Sequence, residues 1–221
     1  MKYQVVEIFE SINGEGKRAG QLATFVRLAG CNLNCSYCDT TWANEAGVAS
    51  TWMTKEEIDQ KISEAGAFNV TVTGGEPLLR QGMEELLSYL VRKEERVIEI
   101  ETNGSVNLTP YLSIDPRVVM TMDYKLPDSG MEEQMYLPNL EKLRPQDTVK
   151  FVAGSRKDLE KAEKIMKTYH LIGHCNCYLS PVFGKIEPEE MVEFMKEKNL
   201  NEVNLQIQMH KVIWDPNQKG V

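Results

Sequence analysis

The 221-residue sequence predicts an α/β protein built on a partial, curved βα barrel. Three observations point there. β-rich runs alternate with amphipathic helical stretches, which is the signature of βα units around a parallel sheet. Only six such strands can be read, too few for a complete eight-stranded barrel. The unusual residues also sit just after successive strands, and in βα folds the C-terminal strand ends form the active face. Chemistry drawn from four consecutive strand ends fits a barrel mouth better than a single switch-point crevice.

ATFVRLAG (23–30) reads as a buried strand that runs into the loop GCNLNCSYCDTTW (30–42). TKEEIDQKISEAG (54–66) follows as a helix, with Thr54 as N-cap and Glu57 completing a capping box. NVTVTGG (69–75) is the second strand, and GMEELLSYLVRKEE (82–95) is the next helix. RVIEIETNG (96–104), RVVMTMDYK (117–125), DTVKFVAG (147–154) and NCYLSPVFG (176–184) supply the remaining strands. Helices are expected between most of them, over 132–143, 156–170 and 187–198. The cysteines thus follow the first strand, GGEP the second, ETNG the third and DYK the fourth. No linker or repeat divides the chain, so residues 1–221 are expected to form one domain.

Hydrophobic residues make up 42% of the chain, enough for a sizeable core, and the formal net charge is −8. An acidic chain without an extended basic face argues against direct nucleic-acid binding. MKYQVVEIFES lacks the apolar run of a signal peptide, and no apolar run approaches the roughly 18 residues of a membrane span. A soluble, cytoplasmic protein is expected. Five cysteines, at 31, 35, 38, 175 and 177, suit a reducing compartment, where clustered thiols bind metal more often than they pair.

Cys31, Cys35 and Cys38 share one short loop, and thiolates select soft metals. Structural zinc normally takes four protein ligands. Here a fourth would have to be Cys175, Cys177, His170, His174 or His210, and Cys175-Asn176-Cys177 reads more simply as the buried start of a strand. An iron–sulfur cubane normally takes four cysteines. Three leave one iron without a protein ligand, the open position a catalytic metal needs.

This CxxxCxxC spacing resembles that of the radical S-adenosylmethionine (radical SAM) superfamily, which carries it after the first strand of a partial βα barrel. The fold implied is a (β/α)6 radical-SAM-type barrel, with modified or truncated helices possible. GGEP at 74–77 is a second match. Within the superfamily, ESINGEGKRAGQLATFVRLAGC resembles the 7-carboxy-7-deazaguanine synthase family, as do CDT, GGEP, ETNG, DYKLP, LQIQMHKVIW and the terminal QKGV, in that order.

The resemblance implies three cofactors: a 4Fe–4S cluster on Cys31, Cys35 and Cys38, SAM, and a magnesium ion on Thr40. The SAM site would comprise Tyr37, Cys38, Asp39, Gly75, Glu76, Asp123, Tyr124, Lys125, Ser180, Pro181, Val182 and Phe183. The substrate would meet Ile12, Asn13, Gly14, Glu15, Arg27, Thr73, His210 and the terminal carboxylate of Val221, so segments 1–22 and 200–221 would both contribute. Arg27 offers a planar fork suited to a carboxylate, and Glu15 can accept from an aminopyrimidine edge. Arg27 could equally be a surface ion-pair residue, Thr40 a turn cap, and His210 a structural histidine in a strand-like run. Asn13 replaces the family's usual Gln, and DYK its Ser-Pro-Lys.

The implied reaction converts 6-carboxy-5,6,7,8-tetrahydropterin to 7-carboxy-7-deazaguanine with loss of ammonia, in queuosine and deazapurine biosynthesis. A 5′-deoxyadenosyl radical abstracts the hydrogen, so no protein acid or base is required. A flavodoxin or ferredoxin would donate electrons, and the family suggests a homodimer. Two other readings compete: a glycyl-radical-enzyme activating enzyme, and a non-enzymatic iron–sulfur or zinc module.

Overall fold

A computed structural model describes residues 1–215 and 218–220. It contains one nine-stranded sheet. The strands are β1 (Lys2–Ile12), β2 (Leu22–Leu28), β3 (Thr51–Thr54), β4 (Asn69–Gly74), β5 (Val97–Thr102), β6 (Val118–Tyr124), β7 (Thr148–Ala153), β8 (Asn176–Pro181) and β9 (Val203–Leu205). Their spatial order is β3-β1-β2-β4-β5-β6-β7-β8-β9. The run from β2 through β4–β8 is parallel, as the alternation predicts, and these six strands are the expected partial barrel. β9 adds a short seventh parallel strand at one edge. β1 and β3 extend the other edge antiparallel, and neither was apparent in the sequence.

The sheet is rolled. Glu15, in the connection from β1 to β2, contacts Lys150 on β7 and Ser180 on β8, several strands away. A flat sheet would hold those residues far apart at the ~4.8 Å strand spacing. Gln206, just beyond β9, closes the seam: Gly16 N–H donates to its Oε1 at 2.6 Å, and its Nε2 donates to the Gly16 carbonyl at 3.1 Å.

Alternation sorts each strand into two faces. Val70, Val72, Ile98, Ile100, Met120, Met122, Val149, Phe151, Cys177 and Leu179 point outward and are buried. They meet α1 (Lys55–Ala65), α2 (Met83–Leu90), α4 (Arg156–Thr168) and α5 (Pro188–Lys198) through residues such as Ile58, Leu86, Ala162 and Phe194. The inner face instead carries Arg27, Thr71, Thr73, Glu99, Glu101, Thr121, Asp123, Lys150 and Ser180. The barrel thus has an apolar jacket and a polar lumen. Thr54 and Glu57 form the expected capping box at α1. Cys175 and Cys177 are buried free thiols in this jacket.

One helical expectation needs correction. Residues 132–143 form only short 3-10 turns, because Pro138 removes a backbone donor and blocks a continuous helix. Between β5 and β6 lies a short helix, α3 (Thr109–Leu112), where the sequence reading placed none. His210 lies in a short helix, α6 (Met209–Ile213), rather than in a strand-like run. Among the described residues, no helix is long and apolar enough to cross a membrane.

Candidate active site

The cysteine loop is shaped by backbone contacts with neighbouring strand ends. Gly75 N–H donates to the Leu28 carbonyl and Glu76 N–H to the Gly30 carbonyl, so the GGEP turn holds the chain that leads into Cys31. Gly75 has no room for a side chain: a Cβ there would lie 2.2 Å from both the Gly30 carbonyl oxygen and Asn44 Oδ1. On the far side, Ser36 binds the Ser129 and Asp128 carbonyls through its backbone N–H and its hydroxyl. These ties set the three cysteines, half-buried and unpaired, along the wall of one cavity of about 820 Å³.

The thiols sense one another. Burial pushes the Cys35 thiol above its usual range, and Cys38 and Cys31 push it further against the pull of Lys125. Among the described residues no three His, Cys, Asp or Glu side chains converge on one point as single-ion ligands do. Cys31 Sγ already receives N–H donors from Leu33 and from the Asn103 side chain. The Thr40 hydroxyl lies 3.6 Å from Cys38 Sγ and makes no capping bond to the turn that follows.

Most of the expected site residues share this cavity. Its wall includes Ile12, Gly14, Glu15, Arg27, Tyr37, Cys38, Asp39, Thr40, Thr73, Gly75, Asp123, Lys125, Val182, Phe183 and His210. Arg27 Nε donates to Glu7 at 2.7 Å, and the guanidinium lies over the rings of Phe9 and Trp42. The Tyr37 hydroxyl donates to the Val152 carbonyl. His210 packs on Gly14, where a Cβ would come within 2.5 Å of Nδ1, and burial lowers the pKa of its imidazole.

Several expected residues lie elsewhere. Glu76 is fully buried and does not reach the cavity; its carboxylate accepts from Leu78 N, Asn103 N and the Thr102 hydroxyl, splicing the end of β4 to that of β5. Burial pushes this carboxyl up to about 7 even against those donors. Tyr124 points into the jacket and donates to Glu132. Ser180 is buried and donates to Glu15 rather than facing the open cavity, and Pro181 lines a separate apolar groove. Asn13 is buried, accepting from the Thr71 hydroxyl, while its Nδ2 has no protein partner. Val221 lies outside the described residues.

The structure adds residues that sequence reasoning missed. Lys150 Nζ lies 2.7 Å from Glu15 Oε2 and 3.1 Å from Asp123 Oδ1, and Lys125 holds the other Asp123 oxygen at 2.8 Å. Burial opposes charge on Asp123, but the two lysines overcome it and keep the carboxyl below its usual range. Glu101 accepts from the Thr73 hydroxyl at 2.7 Å, and burial pushes its carboxyl up to about 7. Glu15 and Thr73 are thus oriented by Lys150 and Glu101. The available signal was a charge at an inner position of an otherwise apolar strand: DTVKFVAG and RVIEIETNG.

Glu76→Ala is expected to leave two buried N–H groups unpaired. At ~1–3 kcal/mol per orphaned group, the loss in unfolding free energy should be about 2–6 kcal/mol, measured by denaturant titration.

A rolled parallel sheet with three free cysteines after its first strand defines a radical SAM enzyme. Residues 26–115 match the Radical SAM superfamily model. The chain is 55% identical over 221 residues, all of both chains, to the 7-carboxy-7-deazaguanine synthase of Clostridium acetobutylicum. It is 40% identical to the Chlorobaculum tepidum protein of that name, covering 98% of this chain and 96% of the relative. It therefore belongs to the 7-carboxy-7-deazaguanine synthase family. The crystal structure of QueE from Escherichia coli shares the fold, with a TM-score of 0.75 and 24% identity over 95% of each chain. The superfamily implies a 4Fe–4S cluster and SAM, and the cysteine set fits them.

Proposed function

We propose that the chain converts 6-carboxy-5,6,7,8-tetrahydropterin to 7-carboxy-7-deazaguanine with loss of ammonia. The observation that carries this reading is the cavity itself. It brings the three cysteines together with an arginine, an acceptor carboxylate, a threonine and a histidine, contributed by both ends of the chain. Cys31, Cys35 and Cys38 would hold the cluster, which together with SAM supplies hydrogen-atom abstraction.

The chain's own residues bind and orient. Arg27 spends Nε on Glu7, which leaves the terminal nitrogens of its fork for the substrate carboxylate. Lys150 and Ser180 hold the two Glu15 oxygens, whose remaining lone pairs can accept from the aminopyrimidine edge. The orphaned Nδ2 of Asn13 is buried beside the lining residues Ile12 and Gly14, and the orphaned Oδ1 of Asn44 is buried in the lining itself. Both supply polar capacity the protein leaves unused. Ile12, Gly14 and Glu15 from segment 1–22 and His210 from the C-terminal segment frame this substrate wall within one domain. Thr40 supplies a hard oxygen suited to magnesium. A flavodoxin or ferredoxin serves as electron donor, and the working form is a homodimer.

The test is anaerobic reconstitution with iron and sulfide, followed by reductant, SAM, magnesium and the tetrahydropterin. Formation of both 5′-deoxyadenosine and the deazapurine is expected. 5′-Deoxyadenosine without deazapurine would overturn the substrate, and no SAM cleavage by an intact cluster would overturn the reaction class. Arg27→Ala should lower kcat/KM about 100-fold, matching ~3 kcal/mol for a charge-assisted hydrogen bond, with iron content unchanged.

A further inference from the structure

We propose that Asn103 donates a hydrogen bond through the Cys31 sulfur to the cluster and thereby raises the potential at which the cluster takes up an electron. The inference rests on the reading that Cys31, Cys35 and Cys38 hold a 4Fe–4S cluster.

Asn103 follows β5, is 6% exposed, and is anchored by its backbone N–H to Glu76 at 2.6 Å. Its Nδ2 lies 3.5 Å from Cys31 Sγ and 3.0 Å from Asn32 Oδ1. Its Oδ1 lies 3.0 Å from Ser105 N and 2.6 Å from Ser105 Oγ. A backbone N–H can only donate, so the atom facing Ser105 N must be the amide oxygen. The amide is therefore not free to flip, and its two hydrogens point the other way.

One of those hydrogens goes to Asn32 Oδ1. Asn32 Nδ2 in turn donates to Ser105 Oγ at 2.9 Å, and the Ser105 hydroxyl passes its own proton to Asn103 Oδ1. The three side chains close a ring in which each bond has an assigned donor. The second amide hydrogen is left for Cys31 Sγ. A donor at a ligating sulfur stabilises negative charge there, and the reduced cluster carries one more negative charge than the oxidised form. Reduction is favoured, and the potential rises. Asn103 is a positioning residue in this sense: it acts through the ligand Cys31.

The experiment is an EPR-monitored redox titration of reconstituted protein without SAM or substrate, alongside iron and sulfide analysis. Asn103→Ala removes the donor without adding charge. Asn103→Leu keeps the volume and adds no charge, and it has no amide hydrogens. Both variants are expected to titrate at a more negative midpoint than the wild type. A purely structural role would change cluster content and leave the midpoint in place. If Asn103→Ala loads no cluster, a negative shift in Asn103→Leu still supports the proposal. An unchanged midpoint in whichever variants load cluster overturns it and leaves the cofactor reading standing. A wild-type chain that takes up no 4Fe–4S cluster overturns both.

Discussion

Replacing Lys150 with methionine is expected to lower unfolding stability by about 3–5 kcal/mol near pH 8, because removing one partner of a buried ion network leaves uncompensated charge behind. Lys150 is 6% exposed and bonds Glu15 and Asp123, with Glu101 close enough to act on it. Burial alone would depress its pKa, and the three carboxylates reverse that. In the variant Glu101 loses the cation that opposes its burial, so its folded pKa rises further above the unfolded one. A carboxyl with a raised folded pKa destabilises the fold where it must ionise, and the penalty lifts as pH falls through that folded pKa. Glu101 already sits at about 7. The deficit in Lys150→Met should therefore shrink steadily from pH 8 toward pH 5, as read by urea unfolding at several pH values. A deficit independent of pH would show that lost packing dominates instead.

Gly74→Ala is expected to cost about 3 kcal/mol or more and to reduce iron loading on the cysteine loop. Gly74 has φ +141°, a conformation side chains rarely adopt, which alone costs ~1–3 kcal/mol. A Cβ would also sit 2.1 Å from the Leu28 carbonyl oxygen and 2.7 Å from Leu28 N. Those are backbone atoms at the end of β2, three residues before Cys31, and they can yield only by moving the strand. Thermal unfolding and iron content after reconstitution together check this. A stable protein with full iron content would mean that the β2 end moves independently of the loop.

The parallel core was legible because its outward positions repeat apolar residues at a period of two, bounded by glycine or polar turns. Strand limits read from sequence lie within about two or three residues of those found. β1 escaped notice because KYQVVEIFESI mixes Glu7 and Glu10 with apolar residues, and Glu7 is there to meet Arg27 across the antiparallel pair. The inner charges escaped for a related reason. A strand buried on both faces should be apolar throughout, whereas these strands line a wet lumen, so Glu99, Glu101 and Lys150 could be placed only once the sheet was rolled. That the cysteines, Arg27, Glu15 and Thr40 share one cavity could be anticipated because motif and family resemblance single out those positions directly. The bonds of Glu76 were not legible because the direction its carboxylate takes depends on Thr102 and Asn103 at the end of β5, about 26 residues on.

The seam between Gly16 and Gln206 joins positions 190 residues apart. Loop-closure entropy makes such a contact late to form. During synthesis the chain emerges from its N-terminus, and domains fold as units when their sequence is available. The cysteine loop and the strands around it can be in place while the wall carrying His210 is still being translated. A nascent chain halted before residue 206 would present the cysteine loop without the part of the cavity wall that His210 supplies. Closure of the cavity at His210 thereby comes after the strands that carry the cysteines, in the order in which the polypeptide is made.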